Sequence, residues 1–134
     1  MSSYQAIELK SSQKIELIDI TAQVRDLVRA GKCDSGLLLV YTPHTTAAVT
    51  INENADPDVP YDIGEFLKRL VGHEDYFRHQ EGNSPAHIMS SLVGASETLV
   101  INNGEPILGS WQGIFFCEFD GPRQRRVFLK FIRG

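Results

Sequence analysis

The sequence predicts an α+β protein: a single domain over residues 1–134 with a largely antiparallel β-sheet core and about three helices. Three observations predict it. Apolar and polar residues alternate with period two in "YQAIELK", "KIELIDI" and "RRVFLKFIR". Three other stretches carry helical spacing between start and stop residues. Strands and helices segregate along the chain instead of alternating strictly, which argues against a doubly wound parallel sheet. At 134 residues the chain can bury one sizeable core and is too short for two.

The first two alternating runs read as half-buried strands joined by a Ser-Ser turn. Thr21 is placed to cap a helix in which Val24, Leu27 and Val28 recur at helical spacing and Gly31 supplies the stop. "GLLLVY", residues 36–41, is a continuous apolar run and reads as a central strand buried on both faces. After Pro43, "HTTAAVTINENADPD" reads as a further strand ending in a carboxylate-rich loop. A second helix starts near Asp58, with Pro60 in its first turn and Ile63, Phe66, Leu67 and Leu70 as its apolar face. Residues 71–83 hold too few apolar positions for regular structure. "SPAHIMSSLVG" is a third helix with Ser84 as cap, Pro85 first and Gly94 past the end. "SETLVI", "NNG", an apolar stretch through Phe119, the "DGPR" turn and the last alternating run form an antiparallel ending.

Composition narrows the function. Apolar residues at 42% and charged ones at 22% fit a globular chain and not a disordered one. A net charge of −4 excludes bulk attraction to nucleic acid or anionic membrane, and the local "RQRR" reads as a solvated strand edge. No apolar run reaches the roughly 18 residues of a membrane span. Cys33 and Cys117 form neither a C-x-x-C pair nor a disulfide framework. With no secretory leader in view, the expected location is the cytoplasm. There is no G-x-S-x-G elbow and no glycine-rich phosphate loop, and Cys117 is expected to be an inert core thiol.

Chemistry is expected from the polar connections. His44, His73, His79 and His87 all fall in loops or at helix ends. In "HQEGNSPAH", His87 lies in the first turn of a helix, near the positive end of its macrodipole, where a neutral, ligand-competent ring is favoured. His79 precedes Gly82, which permits a reversal bringing the two rings together. Metal binding and simple satisfaction of backbone groups both fit that spacing. Glu53, Asp56 and Asp58 crowd into "NENADPD"; Asp58 can cap a helix, but Glu53 has no evident structural task. Carboxylates would suit Mg²⁺ and a histidine pair Zn²⁺. Glu118 sits within an apolar run, and burying its charge unpaired would cost several kcal/mol. Arg123, just past the turn, is its simplest partner. Gln112 is placed to donate to a ligand, and Trp111 to pack.

"PHTTAAVTINENADPDV", "HQEGNSPAHIMSSLVG" and "LGSWQGIFFCEFDGPRQRRV" together resemble the three signature blocks of the YjbQ family, small proteins also labelled secondary thiamine-phosphate synthase enzymes. The resemblance runs from about residue 5 to the C-terminus. It implies a compact α+β fold, a homotrimer, and formation of thiamine monophosphate from a pyrimidine diphosphate and a thiazole phosphate. The family's positions carry over as His44, Glu53, Asn54, Asp56, His79, Asn83, His87, Gln112 and Glu118. On this footing His44, His79 and His87 are expected to hold a divalent metal ion, Zn or Mg, or the leaving phosphates. Glu118, Glu53 and Arg123 are the expected catalytic groups, and Asn83, Gln112, Thr45 and Asn54 would bind a small phosphorylated substrate. The rival expectations are a Zn-dependent phosphate-ester hydrolase with Glu53 or Glu118 as base, and a non-catalytic binder of a small anion or metabolite.

Overall fold

The computed structural model describes residues 3–134 and divides its strands between two antiparallel sheets. The five-stranded sheet has the order β1 (Gln5–Lys10), β8 (Gln124–Arg133), β3 (Gly36–Tyr41), β5 (Ser96–Asn102), β6 (Glu105–Pro106). The three-stranded sheet has the order β2 (Glu16–Asp19), β7 (Gln112–Glu118), β4 (Ala47–Glu53). Helix α1 (Thr21–Gly31) follows β2, and α2 (Asp58–Leu70) and α3 (Ser84–Val93) lie between β4 and β5. The class is α+β, as the patterning predicts.

The main core gathers the inward faces of both sheets. Leu38, Val40, Leu99, Val127 and Leu129 of the larger sheet meet Val49, Ile114 and Phe116 of the smaller, with Val24 and Val28 of α1. A second cluster joins Ala48, Cys117 and Phe119 to Ala86 and Met89 of α3, with Leu17 and Leu67 packed against it. The three-stranded sheet is thus covered on both faces, which is why "GIFFCE" is buried without interruption. The expectation that β3 is buried on both sides is corrected. Leu37 and Tyr41 are 41% and 40% exposed, because nothing described covers the outer face of the larger sheet.

The two strands read as joined by the Ser-Ser turn do not pair with each other. β1 pairs with β8 and β2 with β7, so the Ser-Ser segment crosses from one sheet to the other. The "DGPR" segment makes the same crossing between β7 and β8. The two crossings run side by side: the Ser11 N–H donates to the Arg123 carbonyl at 3.0 Å, and the Gly121 N–H to the Lys14 carbonyl at 3.0 Å. Gly121 is required there. A Cβ would lie 2.7 Å from Ser11 Oγ and 2.8 Å from Glu118 Cγ, and against the Gln13 carbonyl.

Three helix details differ from expectation. Thr21 does not cap α1. Asp19 Oδ1 accepts both its N–H (2.9 Å) and its hydroxyl (2.6 Å), while Thr21 Oγ1 accepts the Ile114 N–H at 2.9 Å. In α3 the N-cap position is Asn83, not Ser84. On α2, Phe66 and Leu70 are 65% and 59% exposed. The inward stripe runs through Ile63, Gly64 and Leu67, and Phe66 sits about 200° around the helix from Gly64 at 3.6 residues per turn.

Candidate functional site

The crossing corner holds a buried ion pair. In β7, Glu118 shares its face with Ile114 and Phe116; in β8, Arg125 shares its face with Val127 and Leu129. Alternation therefore aims both side chains into the space between the sheets. Glu118 Oε1 accepts from Ser11 Oγ (2.6 Å) and Arg125 Nε (2.8 Å). Its Oε2 accepts from Arg125 Nη2 and from the Asp120 N–H at 3.0 Å. Arg125 Nη2 also donates to Thr46 Oγ1 at 2.8 Å. Burial pushes the Glu118 carboxyl up, but the Arg125, Ser11 and Asp120 donors outweigh it and hold it below the ordinary carboxylate range.

The partner of Glu118 is thus Arg125, which corrects the expectation of Arg123. Arg123 lies outside β8 and half-exposed, with Nη2 3.0 Å from Asp120 Oδ2 and Nε donating to the Asp120 carbonyl at 2.9 Å. The signal for Arg125 was present in the sequence: it stands two residues before Val127 on the apolar side of an alternating strand. Ser11 and Thr46 carried no such signal, because only the folded corner brings them to Glu118.

His44 borders this corner. Its Nε2 accepts the Arg126 backbone N–H at 2.9 Å, so that nitrogen's lone pair is already used. Burial, then the charge of Arg125, lowers its pKa, with Arg123 and Arg126 adding to the effect and Glu118 opposing it. Thr45 is exposed in the same β3–β4 connection.

His79 and His87 do come together. Their ring centroids are 5.2 Å apart at an interplanar angle of 83°. The Gly82 N–H donates to the His79 carbonyl at 3.2 Å, and Gly82 has φ +78, so the reversal expected there is made. The two rings line a cleft of about 440 Å³ with Tyr76, Phe77, Arg78, Ser84 and Ile88. Asn83, at the head of α3, donates through Nδ2 to Asp120 Oδ2 at 2.9 Å, and this ties the helix end to the corner. Its Oδ1 is buried with no partner among the described residues. The expected convergence of three histidines does not form. Among the described residues, no group of three or more His, Cys, Asp or Glu side chains could hold a metal ion.

The remaining expected site residues lie elsewhere. Glu118 pairs in register with Ala47, whereas Gln112 pairs with Glu53 at the opposite end of the same two strands. Six residues of strand separate these ends, about 20 Å. At that far end Glu53 Oε2 accepts the Asp56 N–H (3.2 Å) and Asp56 Oδ1 accepts the Asp58 N–H (2.9 Å), so both acids shape the entry to α2. Asn54 donates to Asp19 Oδ2 at 3.1 Å, and Gln112 Oε1 accepts the Gly109 N–H at 2.8 Å. Cys33 and Cys117 are free and buried, and burial pushes the Cys117 thiol up to about 12. Among the described residues no helix is long and apolar enough to cross a membrane.

Residues 5–134 match the family model described as UPF0047 protein YjbQ-like. A UPF0047 protein of Methanocaldococcus jannaschii is 51% identical over 93% of this chain and 91% of its own length. The UPF0047 protein YugU of Bacillus subtilis is 47% identical over 94% and 96%. A crystal structure of an uncharacterized conserved protein from Clostridium acetobutylicum superposes with TM-score 0.92 at 48% identity, covering 96% of this chain and 99% of that one. A hypothetical protein from Aeropyrum pernix superposes with TM-score 0.92 at 34% identity over 99% and 100%. These findings correct the functional expectation. The relatives are named only as UPF0047 proteins, and none of these descriptions carries thiamine monophosphate synthesis or an activity on phosphorylated substrates.

Proposed function

The chain belongs to the YjbQ-like UPF0047 family, and from that premise we propose that it binds a divalent transition-metal ion, Zn²⁺ or one of similar preference, through His79 and His87. One observation carries the reading. With Zn–N near 2.0–2.1 Å, each ring centroid stands about 3.2 Å from the ion, and a tetrahedral angle then separates the two centroids by about 5.2 Å. The two rings stand 5.2 Å apart, centroid to centroid. Two imidazoles favour Zn²⁺ over Mg²⁺, which prefers oxygen donors.

Two protein ligands leave a tetrahedral ion incomplete. In this proposal, solvent, a bound ligand or a side chain of a neighbouring copy fills the rest, with a homotrimer as the proposed assembly. Leu37 of β3 stands opposite Val100 and Ile132, all exposed, and this apolar outer face supports self-association. An open-sited ion of this kind supplies Lewis-acid chemistry to whatever completes it.

A second reading has its own support: 5.2 Å and 83° also suit an edge-to-face packing of two aromatic rings. Calorimetric titration of Zn²⁺ into protein prepared without an affinity tag separates the two. Binding to the wild type that disappears in both His79→Ala and His87→Ala is expected. Equal zinc uptake by all three proteins overturns the metal reading.

A further inference from the structure

A second cleft, remote in sequence from the histidine pair, opens between β2 and α2 with a volume of about 520 Å³, within the range of small-molecule sites. Its floor is apolar, made by Ile15 and Leu17 on one side and by Pro60, Tyr61 and Gly64 on the other. Two observations point to an occupant and to its charge.

The first is Gly64, the one buried residue of α2. A glycine inside a helix costs about 1 kcal/mol relative to alanine, so its presence calls for a reason. Clash is not the reason. An added Cβ would stand 3.5 Å from Ile15 Cγ2 and 3.7 Å from Leu17 Cδ1, which is ordinary contact. Nor does the backbone demand it, since Gly64 is absent from the positive-φ residues. A side chain there would stand against Ile15 and Leu17, which line the cleft with Gly64, and take up part of its space.

The second is the charge balance of the rim, which carries Lys14, Glu16, Glu65 and Lys68. Both carboxylates are engaged. Glu16 accepts from the Ser12 N–H (2.9 Å) and the Gln13 N–H (3.3 Å), and Glu65 pairs with Arg69 at 3.7 Å. Neither lysine takes part in any ion pair among the described residues. The donors to Glu16 are neutral and leave its charge in place, but Arg69 offsets Glu65, so two lysine cations face one unpaired carboxylate and the rim is net positive.

We propose that this cleft binds an amphipathic organic acid, its apolar body lying over Gly64 against Ile15 and Leu17 and its carboxylate reaching Lys14 and Lys68. The probe is 3-phenylpropionate, with 3-phenylpropanol as the neutral control, titrated into the metal-stripped full chain and followed by amide shifts in two-dimensional NMR. The acid is expected to move amides of residues 13–17 and 57–68 and to bind more tightly than the alcohol. Lys14→Met/Lys68→Met should weaken the acid by about tenfold and leave the alcohol unchanged. Gly64→Ala should keep or raise Tm while weakening both ligands. The proposal is overturned by equal binding of acid and alcohol, by an unchanged acid affinity in the double lysine variant, or by no shifts at millimolar acid. Shifts at the same amides that depend on protein concentration alone would also overturn it, because the occupant would then be a second copy of the chain.

Discussion

At the crossing corner, the carboxylate of Glu118 meets four donors, from Ser11, Asp120 and twice from Arg125, and is sealed from solvent. Asn83 links this corner to the head of α3, where His79 and His87 face an open cleft. The two clusters are neighbours with opposite economies. The Glu118 carboxylate is filled by its four donors, and the pair's work is to lock two sheets together. The imidazoles contact one another without completing one another. A charged residue in an apolar strand is here satisfied by the fold itself, whereas the polar loop leaves two imidazoles facing a cleft.

Breaking the corner should have the largest effect. Glu118→Ala strands Arg125 in the core, and removing one member of a buried pair costs about 3–5 kcal/mol. Denaturant unfolding should show that loss, and Arg125→Met should show one of similar size. Acid should reproduce part of it. The Glu118 carboxyl is depressed in the folded state, so its contribution is full above its unfolded pKa of about 4.3 and is lost as pH falls through the folded value. His44 is likewise depressed, so stability should begin to fall already below about pH 6.5, as the unfolded chain takes up the proton first. His44→Asn should remove that upper arm and leave the lower one.

The histidine pair sharpens the contrast from the other side. Zinc at one hundred times its Kd should stabilise the wild type by about 2.7 kcal/mol and His87→Ala not at all, read as a shift in Tm. Ser11→Ala should cost about 1–3 kcal/mol, since it takes one donor from a buried carboxylate. The smallest effect is expected for Arg123→Ala, below about 1 kcal/mol, because that half-exposed pair with Asp120 is screened by solvent. A loss equal to that of Glu118→Ala would mean that Arg123, and not Arg125, holds the corner.

Much of this was legible before folding. Period-two alternation located β1, β2 and β8, and a cap-to-glycine frame located α3. Gly82 and the two flanking histidines announced a reversal that brings the rings together. Other readings stopped at the range of local information. The Ser-Ser segment looks like a hairpin turn because sequence reports a break between strands and not which strands will pair. Glu53 seemed idle because its partner, the Asp56 N–H, becomes available only in the folded loop. Gln112 and Glu118 belong to one short motif, yet a strand holds them at its two ends.

By itself the sequence determined most of the elements, the face on which Glu118 stands, and the need for that buried charge to be met. These follow from local periodicity and from desolvation, which act wherever the chain is placed. Tertiary structure alone decided that β1 and β2 part into different sheets, that Arg125 and not Arg123 answers Glu118, and that His44 stays apart from the other two rings. Those outcomes depend on strand pairing across more than one hundred residues, as between Gln5 and Leu129, and no local pattern encodes such a distance.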